Sequence, residues 1–130
     1  MTSTTPRHAG LTDRWETFSL MEQLANVGSD VGRAIHAHAS GNTTRFHNAV
    51  DRALELFDLT ATDARWGGHR RREILRAREE FCRLFFGTPP LAGSAAGLQK
   101  YFYYAAVAAN RRRSQQRDGH PGASDFHEPE

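Results

Sequence analysis

Cysteine is almost absent from this chain, with Cys82 alone among 130 residues. One thiol excludes an internal disulfide. Its neighbours Phe81, Leu84, Phe85 and Phe86 suit a buried thiol that behaves as a small apolar residue, because burial raises a thiol's pKa and suppresses its reactivity. Long apolar runs are missing too: no stretch of 18 or more apolar residues occurs, and the opening MTSTTPRHAG lacks the apolar centre of a secretory signal. The expectation is a cytoplasmic protein that neither spans nor anchors in a membrane. β-Branched residues are few, and no alternating segment exceeds four residues, which leaves little from which to build a sheet.

Several chemical signatures are missing as well. There is no glycine-rich phosphate loop, no Ser-His-Asp set and no pair of catalytic carboxylates. Seven histidines are present, but His36 and His38 point about 200° apart on a helix, unlike the i, i+4 spacing that presents two metal ligands together. Arg65 and His69 share with HEPN-type helical RNases an arginine and a histidine across a short spacer. The spacer here, WGG, is shorter than in that family and broken by glycines, so it does not make an RNA-cleaving site. The chain therefore reads as non-catalytic, with no cofactor and no metal.

What the chain does hold is apolar periodicity. At 130 residues and 38% apolar content, it has the size of one domain. Leu20, Leu24, Val27, Val31, Ile35 and His38 recur at spacings of three and four, and Ser19 with Glu22 forms a capping-box pattern before them, predicting helix over about 19–39. Gly41 stops it. Asn42 or Thr43 can cap a second helix striped by Phe46, Val50, Ala53, Leu54 and Phe57 and ending near Leu59. Asp51, Glu55 and Asp58 share its solvated face. Beyond Gly67 and Gly68 a third stripe is Ile74, Leu75, Phe81, Cys82, Phe85 and Phe86, with Gly87, Pro89 and Pro90 as stops. Ser94 can cap a fourth helix that turns Leu98, Tyr101, Phe102, Ala105, Ala108 and Ala109 inward and ends near Arg113.

Four matched helices with mostly short links predict an all-α, up-down-up-down four-helix bundle over residues 13–113. Polar residues 1–12 and the acidic stretch 114–130 read as flexible termini.

Charge is distributed unevenly along this framework. Residues 1–64 hold five arginines against eight carboxylates, residues 65–117 hold eleven arginines and Lys100 against Glu73, Glu79 and Glu80, and residues 118–130 hold four acids. Sixteen of the 17 basic residues are arginine, the side chain suited to bidentate phosphate contacts, although a GC-rich genome would also favour it. In alternating helices the start of the first, the end of the second, the start of the third and the end of the fourth share one pole. Arg65, Arg70, Arg71, Arg72, Arg111, Arg112 and Arg113 converge there and are the expected phosphate contacts, with Arg14 and Arg117 nearby.

Three cations in the first turn of the third helix oppose its dipole by a few tenths to about 1 kcal/mol each when exposed. An arriving phosphate would reverse that cost. Solvated charge, an acidic protein partner or the acidic tail folding back are the alternatives. The four aromatics 101–104 sweep about 300° of a helix, so Tyr103 and Tyr104 are expected at an interface or stacked on a base. The alanines around 105–109 suit close packing by a second subunit, and with it a homo-oligomer.

The strings SLMEQLANVGSDVGRAI, RALELFDLT, DARW, REILRAREEFC and LQKYFYYAAVAA together resemble a family of small, uncharacterised bacterial all-helical proteins over about residues 14–111. That resemblance carries no function across. By architecture and charge, without a shared motif, the chain is also similar to the four-helix-bundle accessory proteins of diversity-generating retroelements, the Avd type, and to the bundle encoded in ribosomal RNA intervening sequences. This similarity implies a basic oligomer associated with nucleic acid or with a reverse transcriptase, and it assigns no residue.

Overall fold

Ser19 opens the first long helix by closing a reciprocal cap: its Oγ accepts from the Glu22 amide at 3.1 Å, and Glu22 Oε1 accepts from the Ser19 amide at 2.8 Å. In the computed structural model, which describes residues 13–87 and 94–118, a short helical turn at 13–15 precedes this cap. Four long helices follow: α1 (Leu20–Ala39), α2 (Thr43–Ala61), α3 (Gly68–Phe86) and α4 (Ser94–Asp118). No strand occurs among the described residues. The expectations for Pro89, Pro90, residues 1–12 and residues 119–130 lie outside the described residues, as do those for the side chains of Ser94 and Arg117.

The link from α1 to α2 is economical. Gly41 adopts a φ of 73°, a left-handed conformation that costs glycine little. The amides of Gly41 and Asn42 then donate back to the carbonyls of His38 and Ala37, completing a Schellman stop. Asn42 at once caps α2, its Oδ1 accepting from the Arg45 amide at 3.0 Å. At this end of the molecule His38 packs its ring 5.2 Å from Phe46 and 5.0 Å from Phe85, so the end of α1 meets the start of α2 and the end of α3.

The core is drawn from all four helices. Phe57, with no exposed surface, lies 5.8 Å from Phe81 of α3 and 6.0 Å from Phe102 of α4, centroid to centroid. Val27, Val31 and Ala34 of α1 close the same cluster, and burying each large apolar side chain contributes about 1.5–3 kcal/mol. Helix α1 packs broadly on α2 and α4, whereas α3 meets α2 and α4 over smaller areas. Gly28 explains the close α1–α4 approach, since a Cβ built there would lie 2.5 Å from Phe102 Cβ. Ala105 and Ala109 are buried as well, so much of the α4 alanine run serves packing within the chain.

Three expectations change. Leu75 and Phe86 are 46% and 58% exposed, because the inward stripe of α3 follows Ile74, Ala77 and Phe81 and turns both residues outward. Cys82 is half-buried for the same reason. Helix α4 continues to Asp118, beyond the end expected near Arg113. Of the acids on the outer side of α2, Asp58 ties α2 to α3, accepting from Arg78 Nε at 2.9 Å. None of the helices among the described residues is long and apolar enough to cross a membrane.

Candidate functional site

Where the start of α1 meets the end of α2 and the loop after it, a polar hub is buried beneath the surface. Gln23, with no exposed area, donates through Nε2 to the Trp15 carbonyl and to Asp63 Oδ2, both at 2.9 Å, and accepts at Oε1 from Trp66 Nε1 at 2.9 Å. Trp15 Nε1 donates to Thr60 Oγ1 at 3.1 Å, and Thr60 donates onward to the Leu56 carbonyl. A wholly buried amide is tolerable only when its donors and acceptor are matched in this way.

Asp63 completes the hub by accepting three bonds from Arg65. The backbone amide and Nε both reach Oδ1 at 3.0 Å, and Nη2 reaches Oδ2 at 2.7 Å. The Arg65 guanidinium holds this carboxylate well below its usual range, despite burial pushing the other way, and the Gln23 amide adds to the lowering. Reciprocally, Asp63 raises Arg65. The same guanidinium donates to the Phe18 carbonyl at 2.8 Å and lies 4.5 Å from the Trp66 ring centroid. Arg65, expected to touch phosphate, is thus occupied in joining the loop to the start of α1.

The remaining arginines of the pole divide into two groups. Arg71 sends its Nε to the carbonyl of Ala61 at 2.8 Å, the last residue of α2. That cation answers the negative end of the α2 dipole, which explains its presence at the start of α3. Arg113 approaches Glu22 at 3.7 Å and donates to Asn110 at 3.2 Å, which brings the later part of α4 beside the first turn of α1. The other group is open. Arg70 rests 5.9 Å from the Trp66 centroid. Arg72, Arg111 and Arg112 are exposed, and none of these three takes an ionic partner among the described residues. Gly67 caps α3 without any side-chain bond, so that helix start offers backbone N–H groups near Arg70 and Arg72 of the same helix.

Tyr103 and Tyr104 are 63% and 59% exposed, with ring centroids 5.9 Å apart. Tyr104 and Arg70 border one small groove of about 200 Å³, floored by Leu20, Leu24 and Ile74. Tyr101 reaches into the same groove, where burial and then the Glu73 carboxylate push its phenol upward. An aromatic face and a cation therefore border a single apolar recess at the pole. His69 is exposed and takes no part in the hub.

Residues outside the expected set also form a site. Arg33, Arg45 and Arg52 line a groove between α1 and α2, and Asp30, 4% exposed, holds two of them. Sequence reading passed over the hub because its members are distant in the chain, although the related strings DRW at 13–15 and DARW at 63–66 do mark both tryptophans. No cluster of three or more metal-ligating side chains occurs among the described residues. No known family, curated protein or solved structure matches the chain.

Proposed function

We propose that this protein binds nucleic acid without catalysis, alone or as an accessory subunit of a nucleic-acid-processing complex such as one containing a reverse transcriptase. The observation that carries the reading is the open group of arginines. Arg70 borders the start of α1 with Leu20 and Met21, Arg72 follows it on α3 at a terminus that lacks a side-chain cap, and Arg111 and Arg112 directly precede the Arg113 that reaches Glu22; all four are exposed. Phosphate oxygens satisfy both features at once. Tyr104 beside Arg70 offers a stacking face for an unpaired base next to a phosphate contact, the pairing used for single strands.

The architecture is read here as an up-down-up-down four-helix bundle, from the meeting of α1, α2 and α3 ends around Phe46 and from Arg113 beside Glu22. Arg65, Arg71 and Arg113 act in this reading as supports that shape the surface. The second reading is a protein-interaction scaffold or homo-oligomer. Leu75 and Phe86 favour it, since residues eleven apart lie about 20° from one another on a helix and both are exposed.

Fluorescence anisotropy of labelled single-stranded and duplex RNA and DNA, titrated at several salt concentrations, tests the nucleic-acid reading. Affinity should fall log-linearly with salt. A variant carrying Arg70→Ala, Arg72→Ala, Arg111→Ala and Arg112→Ala should show a slope shallower by about three units. An unchanged slope, or no binding by the parent at low salt, sinks the reading and leaves the scaffold.

A further inference from the structure

The groove between α1 and α2 shares no residue with the open arginines of the pole. It encloses about 720 Å³ and is lined only by those two helices and the turn that joins them. Arg33 enters from α1, and Arg45 and Arg52 from α2. Asp30 is the one carboxylate among the lining residues, and it is almost wholly buried. Its Oδ1 accepts from Arg33 at 2.8 Å and its Oδ2 lies 3.3 Å from Arg52 Nε. A single buried anion thus braces two guanidiniums across the helix pair, while their side chains remain 69% and 63% exposed. Each keeps further N–H donors free, because a guanidinium carries five.

Arg45 has no ionic partner among the described residues, and its side chain makes no hydrogen bond there. It stands in the first turn of α2, where the helix dipole disfavours a cation and favours an anion. Three arginines and one carboxylate among the lining residues leave the lining with a net positive charge. His36, Asn42 and Asn48 add polar groups around it.

From this arrangement we infer that the α1–α2 groove binds a small phosphorylated molecule, with Arg33, Arg45 and Arg52 on the phosphate oxygens and Asp30 orienting two of the three. The enclosed volume falls in the range of small-molecule sites. Arg33 and Arg52 meet on Asp30 from two helices and Arg45 lines the same groove, a local set that suits a compact phosphate ester or diphosphate better than an extended backbone. Charge-assisted, planar contacts of this kind are what guanidinium groups supply to phosphate.

Isothermal titration of the full chain with inorganic pyrophosphate at low salt tests the assignment. One saturable site is expected. Arg45→Ala breaks no hydrogen bond among the described residues and should weaken binding about tenfold or more; adding Arg52→Ala should abolish it while Asp30 keeps Arg33. A variant with Arg70→Ala and Arg72→Ala should bind as the parent does, whatever becomes of its affinity for nucleic acid. The inference is overturned if the parent binds no pyrophosphate, if Arg45→Ala binds unchanged, or if the Arg70 and Arg72 variant loses binding equally. It is also overturned if only an oligonucleotide, and not pyrophosphate, senses the Arg45 substitution, since the groove would then belong to a polynucleotide surface.

Discussion

Asp63 is small and buried, yet it organises more polar contacts than any neighbouring residue in the hub. Asparagine keeps one carbonyl oxygen and puts an NH2 where the other acceptor stood, so two of the four N–H donors that Gln23 and Arg65 aim at Asp63 lose their partner. Asp63→Asn should therefore destabilise the fold by about 2–3 kcal/mol, read as a lower midpoint in urea. The change also has a pH signature. Asp63 titrates lower in the folded chain than its ordinary value of 3.8, so its contribution is complete above about pH 4 and drains away as acid protonates it in the folded state. The parent should lose stability steeply below pH 4, and Asp63→Asn should flatten that part of the profile. An unaltered acid limb in the variant would show that another carboxylate governs acid unfolding. Arg71 is a residue-scale lesson of the same kind: its neighbours in sequence portray it as a misplaced cation, while its partner, the Ala61 carbonyl, belongs to the preceding helix.

Among the elements, α1 is the one that both other broad contacts depend on. Its glycines differ in consequence. Gly28 touches Phe102, whereas a Cβ at Gly32 would meet nothing within 4 Å. Gly28→Ala should cost about 1–3 kcal/mol through overpacking. Gly32→Ala should be neutral or stabilising by up to about 1 kcal/mol, since alanine loses less backbone freedom in a helix. Thermal melts of the two variants compare the sites directly, and equal midpoints would refute the close α1–α4 contact. The caps of α1 and α2 were legible in the sequence because Ser19 with Glu22, and Gly41 with Asn42, act on residues within one turn. The outward turn of Leu75 and Phe86 was not, because apolar spacing alone admits both the stripe through Leu75 and the one through Ala77, and only packing against α2 and α4 decides.

At the scale of the whole molecule, charge and fold pull against each other. The open arginines at the pole repel one another and are not offset by ionic partners there, which lowers stability when screening is weak. Between about 10 mM and about 0.1 M NaCl the screening length contracts from about 30 Å to about 10 Å. The thermal midpoint should rise over that interval, and the variant lacking Arg70, Arg72, Arg111 and Arg112 should show a smaller rise. A midpoint that falls with salt would mean that attractive pairs such as Asp58–Arg78 outweigh the repulsion. The bias of basic residues toward the second half was visible in the sequence. Which of them stay open was not, since beside the local bonds of Arg65 to Asp63 and of Arg113 to Asn110, contacts that tie Arg65, Arg71 and Arg113 to the rest of the fold reach Phe18, Ala61 and Glu22, 47, 10 and 91 positions away. The α1–α2 groove was hidden for a related reason: Arg33, Arg45 and Arg52 are scattered through a half of the chain whose net charge is negative.

The hub also bears on how the chain is made. All of its members, from Trp15 to Trp66, lie within the first 66 of the 130 residues. On a chain emerging amino end first, the lock between the loop and α1 needs no residue of α3 or α4 to close. The surface of α1 on which α4 rests, with Gly28 against Phe102, is therefore held in place by bonds that lie wholly in the earlier part of the chain, a template for the part that follows.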